Sequence, residues 1–209
     1  MALRKFGILS GLVAPVLWAA SIAICGMLRP GFSHVTQYIS ELGERGSPTE
    51  LTMRYAAFIP TGLMHVCFAA FLAVAFRGSR LGVFAAALLG VNGLARIGAG
   101  VFACDAGCGG LATSFSQRMH SLSASVGFSA LIVSAALWGI AFRRYPGLRD
   151  LTAYSVGSAI VGLSFLLLMV WNADLGTARG LFERLSSGAL SLWIFVFAAR
   201  LRDSDPSRA

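Results

Sequence analysis

Residues Asn92–His120 read NGLARIGAGVFACDAGCGGLATSFSQRMH. The stretch starts in an apolar run that carries Arg96, leaves it at Cys104-Asp105, and meets a new apolar run at His120. It reads as the turn of a helical hairpin whose two arms cross a membrane. An arginine near the middle of a span costs about 2.5–3.5 kcal/mol on insertion scales, so its side chain must pair, snorkel or line a wet cavity. Arg96 lies eight residues before Cys104, about 12 Å along a helix at ~1.5 Å per residue. Asn92 and Gly100 sit one turn away on either side, on the same face. That small, polar face is expected to point into a bundle.

The rest of the chain agrees with a membrane protein. Of 209 residues, 56% are hydrophobic and 12% are charged, and the mean hydropathy is +0.74; a soluble domain carries roughly 25% charged residues. The net charge of +8 comes from basic residues that are arginine in every case but Lys5. They lie between apolar runs, without a basic tract interleaved with stacking aromatics. They therefore read as topology signals and lipid contacts, and nucleic acid is not an expected partner.

Six apolar runs are long enough to span, near Phe6–Met27, Tyr55–Phe76, Leu81–Ala103, His120–Phe142, Leu151–Trp171 and Leu185–Leu201, at about 20 residues for each crossing. None alternates strictly, which argues against a β-barrel. The expected fold is all-α, a single polytopic domain of six transmembrane helices over residues 1–209. The first run follows Arg4 and Lys5 but lacks a small-residue cleavage site, so it reads as a retained helix.

Placing both termini in the cytoplasm leaves ten basic residues inside, including Arg77, Arg80, Arg143, Arg144 and Arg208, against six outside. The arginine bias thus favours the cytoplasmic membrane with both ends inside. Glu41, Glu44, Glu50, Asp105, Asp174 and Glu183 then fall outside, and only Asp150, Asp203 and Asp205 inside. The outer face is the chemically mixed one, and a site is expected there.

In the first outer loop Val35, Tyr38, Ile39 and Leu42 recur at helical spacing after Ser33. This predicts a short amphipathic helix on the outer surface, capped by Ser33 and ended by Gly43. Ser47-Pro48-Thr49-Glu50 has the pattern of a capped helix start. The Glu41-Leu42-Gly43 to Glu50 spacing recurs in Asp174-Leu175-Gly176 to Glu183, an echo too short to establish a repeat.

Several residues are candidates for chemistry. His65 lies mid-span at a depth close to that of Arg96, where an interhelical hydrogen bond competes with a ligand role. His120 faces the same vestibule, and Ser121, Ser125 and Ser129 follow one turn apart, a pattern of tight helix packing. Arg184 opposes the dipole at the start of its helix and calls for a partner, with Asp174, Asp105 and Glu41 as candidates. Cys104 and Cys108 are close enough in sequence to form a disulfide in an oxidising compartment. No phosphate-loop, zinc-protease or nucleophile-elbow motif occurs, and no cofactor is implied. A zinc site drawn from His34, His65, His120 and Asp105 has no supporting spacing, so no metal is expected.

The runs Y-I-S-E-L-G at Tyr38–Gly43, F-A-C-D-A-G-C at Phe102–Cys108, the histidine opening the fourth span and G-L-F-E-R-L at Gly180–Leu185 together resemble a bacterial and archaeal membrane family known as domain-of-unknown-function family nine-nine-eight. The resemblance implies a six-helix bundle in the cytoplasmic membrane and no activity. Its motif positions fall on Ser40, Glu41, Asp105, His120 and Arg184.

The functional expectation is an outward polar pocket binding a lipid head group or small amphiphile, with Ser40, Glu41, His65, Asn92, Arg96 and Arg184 as ligand contacts. Transport or sensing would be the consequence, and the ligand would pass sideways between the third and fourth helices. A first rival is an intramembrane lipid hydrolase, serine- or metal-dependent, with His120 as base and Asp105 orienting it or binding metal. A second is a structural or assembly protein. The sequence leaves the oligomeric state open, a homo-oligomer included.

Overall fold

The computed structural model describes residues 2–109, 113–173 and 175–203. Among the described residues six α-helices make up the fold: α1 (Ala2–Leu28), α2 (Ile59–Ala75), α3 (Arg80–Val101), α4 (Phe115–Phe142), α5 (Leu151–Trp171) and α6 (Arg179–Asp203). A π-helical stretch, Thr52–Phe58, leads into α2 and extends that span. All six are long and apolar enough to cross a bilayer, and the chain is a multi-pass membrane protein. Consecutive helices pack side by side and α6 returns against α1, closing a ring. Ser79 and Ser114 cap α3 and α4, their hydroxyls accepting the Gly82 and Gln117 N–H at 3.1 and 3.0 Å.

Lipid tails are as apolar as leucine, so association of the helices depends on close packing and interhelical hydrogen bonds. The α2–α3 contact shows the first. A Cβ on Gly62 would stand 2.6 Å from the Gly93 carbonyl, and one on Gly93 would stand 2.7 Å from the Gly62 carbonyl. The two backbones touch there, and only glycine allows it. Hydroxyls supply the second: Ser134 donates to Ala85 O and Ser186 to Gly162 O, both at 2.8 Å.

The two ends of the ring differ. At the end with the chain termini, Phe76, Trp138, Phe142 and Phe197 interlock with ring centroids 4.8–5.4 Å apart. Aromatic pairs of this kind contribute about 0.5–1.5 kcal/mol each beyond burial. The end carrying the α1–α2, α3–α4 and α5–α6 loops holds most of the buried polar side chains.

The first long loop is not the amphipathic surface helix expected from its spacing. Ser33 does cap a turn, its hydroxyl accepting the Val35 and Thr36 N–H at 3.3 Å. The chain then forms only a 3₁₀ turn, Ser40–Gly43, and dips into the bundle with Ile39, Glu41 and Leu42 buried. Ile39 and Leu42 pack with Trp18, Met53 and Phe58. The polar backbone is satisfied inside: Ile39 N–H donates to Glu183 Oε2 at 2.6 Å and Tyr38 N–H to Glu41 Oε1 at 2.9 Å. A segment so provided for gains more from filling the mouth of the ring than from lying on its rim.

Two helix starts also move. The fourth helix begins at Phe115 rather than His120, and the sixth at Arg179 rather than Leu185. His120, Glu183 and Arg184 therefore project from helix bodies.

Candidate functional site

The Gly62–Gly93 contact sets up the polar centre of the bundle. It brings His65 on α2 beside Asn92 on α3, and His65 Nδ1 lies 2.8 Å from Asn92 Oδ1. Asn92 Nδ2 in turn donates to Gly127 O of α4 at 3.0 Å. A buried side-chain pair thus ties three helices at one level. One turn further along α3, the Arg96 guanidinium stands 4.1 Å from the centre of the Trp18 ring on α1. Its Nη1 donates to Thr61 Oγ1 at 3.4 Å, while that hydroxyl donates to Ala57 O at 2.6 Å. Among the described residues no carboxylate forms an ion pair with Arg96.

Arg96 and Asn92 line a cavity of about 70 Å³ with Trp18, Ser40, His120 and Glu183. That volume admits a few waters or a small polar group and no acyl chain. Glu183 is 9% exposed. Its Oε2 accepts from Ile39, and Oε1 has no hydrogen-bond partner among the described residues.

The cavity's roof is the end of α3. The last carbonyls of a helix lack intrahelical donors and need partners when buried. His120 Nδ1–H donates to Ala99 O at 3.0 Å and Phe102 O at 2.9 Å. Arg54 donates through Nε to Gly100 O at 2.8 Å and through Nη2 to Val101 O at 2.9 Å. Two side chains thus satisfy four consecutive carbonyls. Because both His120 acceptors are carbonyls, Nδ1 carries the proton in the neutral ring. The lone pair of that ring is left on Nε2.

A family model described as "Protein of unknown function (DUF998)" matches residues 12–200. The chain belongs to the DUF998 family. No curated protein and no solved structure matches it significantly. The DUF998 description states no activity.

In this DUF998 protein the residues singled out by sequence divide into two groups. Ser40, Asn92, Arg96 and His120 line the cavity. His65, Glu41, Asp105 and Arg184 do not. His65 backs Asn92. Glu41 is held by Gln37 at 2.8 Å, the Tyr38 N–H and Arg179 at 3.5 Å. It belongs to a collar of ion pairs with Arg29–Glu44 and Arg54–Glu50, both 2.6 Å.

Arg184 does not join that collar. It donates to Gln37 O and Gly180 O at 2.8 Å and to His34 Nδ1 at 3.1 Å. Glu41 is already matched to Arg179, Asp105 is engaged elsewhere, and Asp174, like Asp205 and Arg208, lies outside the described residues. The reason for this choice is contact: α6 starts so close to the first loop that a Cβ on Gly180 would collide with Gln37 O.

Asp105 does not orient His120. Its two oxygens accept the Ser114 hydroxyl at 2.7 Å and the Ser114 N–H at 2.8 Å, while His120 Nδ1 is committed to α3. The backbone N–H of Ser114, with the hydroxyl adding to it, holds the Asp105 carboxyl below the usual carboxylate range. Among the described residues no three His, Cys, Asp or Glu side chains gather as a metal would require. Cys104 and Cys108 are joined by a disulfide, Cα atoms 5.0 Å apart. It closes the turn that Gln117 holds in place, accepting from Asp105 N–H at 2.8 Å and donating to Cys108 O at 3.2 Å.

Two grooves flank the cavity. One, of about 360 Å³, runs between α4 and α5 past Ser121, Ser125 and Ser129 to Leu166 and Met169. It shares Ser40, His120, Ala124, Phe128 and Glu183 with the cavity. The serine stripe is exposed and walls this groove instead of packing tightly. Of the grooves along α4, the one that shares its lining with the cavity is thus that between α4 and α5; a groove of about 490 Å³ between α3 and α4, past Phe84, Leu88 and Val133, shares none. Beside the cavity α3 and α4 approach closely, since a Cβ on Gly98 would meet Ser123 Oγ at 2.6 Å. The other groove, about 690 Å³ and largely apolar, lies between α1 and α6 behind Trp18.

Glu183, Trp18 and Thr61 escaped sequence reasoning as site residues. Trp18 carried a signal, being a tryptophan in mid-span, away from the interfaces where such rings collect. Glu183 reads in the sequence as one outer carboxylate among several at a helix start, and only the structure turns it to the cavity wall.

Proposed function

We propose that this chain resides in the cytoplasmic membrane with both termini in the cytoplasm, and that its outward half binds the head group of a membrane lipid or small amphiphile. Transport or sensing would follow from that binding. The observation that carries the reading is Arg96: a guanidinium within the span, stacked on Trp18, that has only one hydroxyl and no carboxylate to answer it. An anionic group in the adjoining cavity would complete its hydrogen bonds where few waters compete. The α4–α5 groove supplies a path from the bilayer, and its walls pass from apolar α5 side chains to hydroxyls.

The hydrolase reading is weaker. It keeps His120 Nε2 and Ser123 at the cavity wall but loses Asp105, and His120 serves as the cap of α3. The assembly reading predicts that Arg96 matters for folding alone.

The test is lipid binding by purified protein, measured by native mass spectrometry and by thermal stabilisation with phosphatidylglycerol. Native protein is expected to retain and be stabilised by the lipid. Arg96→Met is expected to fold and to lose that stabilisation. Equal binding by native and variant protein would overturn the reading.

A further inference from the structure

The cavity holds a second ionisable group, a carboxyl, that no ion pair engages among the described residues. Glu183 is buried to nine-tenths, contributes one oxygen to Ile39 N–H, and presents the other without a partner. It lines the same cavity as Arg96, yet no ion pair joins the two. Were the pair only a means of fixing helix register, direct contact would be expected, because an uncompensated charge in a low-dielectric interior is strongly unfavourable. The neighbouring acids show how readily this chain makes such contacts. Glu41, Glu44 and Glu50 each have their own arginine. Glu183 and Arg96 form no ion pair, and both border one small space.

We propose that the head group bound here is zwitterionic, with an anionic group on Arg96 and an ammonium carrying N–H donors on Glu183. This rests on the head-group reading above and specifies the ligand's chemistry. A purely anionic head group would satisfy Arg96 and leave Glu183 facing a like charge. An ammonium with N–H donors would match Glu183 Oε1. Ser40 and His120 Nε2 lie on the same wall and offer further polar contacts. The volume near 70 Å³ selects a compact head, with the chains left in a flanking groove.

The probes are phosphatidylethanolamine, its mono- and dimethylated forms, phosphatidylcholine and phosphatidylglycerol, each added to full-length protein in detergent. Phosphatidylethanolamine is expected to bind about tenfold more tightly than phosphatidylglycerol, the factor one charge-assisted hydrogen bond supplies. Affinity should fall stepwise as N–H donors are methylated. Glu183→Gln can still accept from Ile39 and is expected to erase the preference while phosphatidylglycerol binding persists.

A flat methylation series on native protein overturns the zwitterion assignment and leaves the head-group reading standing. A preference unchanged in Glu183→Gln does the same. Failure of native protein to bind any of the five lipids overturns both. The methylation series needs no variant, so misfolding of Glu183→Gln does not remove the test.

Discussion

The guanidinium of Arg96 lies 4.1 Å from the ring centre of Trp18, and the indole N–H of Trp18 donates to Ser187 Oγ at 2.9 Å. The tryptophan therefore joins α1 to α3 through its face and to α6 through its edge. A cation over a desolvated ring contributes about 2 kcal/mol, and the indole hydrogen bond about 1 kcal/mol more. Trp18→Leu is expected to lower the thermal midpoint in detergent and to weaken lipid binding. Trp18→Phe, which keeps a ring but no donor, should lose roughly the smaller amount. Melting curves followed by circular dichroism check both.

His120 is expected to behave first as a helix cap. His120→Ala strips two buried carbonyls of their donor and should destabilise by about 1–3 kcal/mol. Arg54→Ala should do comparable damage, since it frees Gly100 O and Val101 O and strands Glu50. His120→Gln keeps an N–H donor and should recover part of the loss. Denaturation of the three variants side by side gives the comparison.

The Gly62–Gly93 contact predicts a sharp steric result. Gly62→Ala or Gly93→Ala must part α2 from α3 and pull His65 off Asn92. Either is expected to abolish a monodisperse product in size-exclusion chromatography. Gly157→Ala on α5 meets nothing within 4 Å and should be neutral or slightly stabilising, by up to about 1 kcal/mol from helix propensity.

Acid is expected to loosen the loop end before the ring itself. The Gly46 N–H foremost, with Arg54 adding to it, holds the Glu50 carboxyl below its usual range, and Ser114 does so for Asp105. A carboxyl whose folded pKa is depressed contributes stability that is complete above the unfolded value of about 4 and is lost as pH falls through the folded one. Protection of amide hydrogens in segments 44–54 and 103–109, corrected for the intrinsic exchange rate, should therefore fall as the pH drops below about 4, while the α2–α3 core stays protected.

The disulfide has a direct chemical readout. Unfolded, unreduced protein should take up two alkyl groups, at Cys25 and Cys67, and reduced protein four. The ring it closes spans few residues, so reduction should cost at most about 2–3 kcal/mol and disturb chiefly the Asp105–Gln117 turn.

The six helices were legible because each needs only its own residues. A run of about 20 apolar residues satisfies its backbone internally and has no alternative in a bilayer. Capping was local too, and Ser33 and Ser47 act within a few residues of where the sequence put them, Ser47 Oγ accepting the Thr49 N–H at 3.2 Å. Arg96 was also legible, as a charge whose cost in hydrocarbon demands an explanation wherever it points.

What the chain alone could not decide was which groups meet. Val35, Tyr38, Ile39 and Leu42 have helical spacing, but the open mouth of the ring draws Ile39 and Leu42 inward, and that mouth exists only once α1 and α6 have met. The sequence suggests Glu41, among other acids, as a partner for Arg184. The close approach at Gly180 hands Arg184 to backbone carbonyls and leaves Arg179 for the acid. Composition and periodicity act along one strand of chain and determined the spans. The pairing of Arg96 with Trp18, the contact of Glu183 with Ile39 and the groove between α4 and α5 depend on residues tens to more than a hundred positions apart, and only the closed ring of helices brings them to one place.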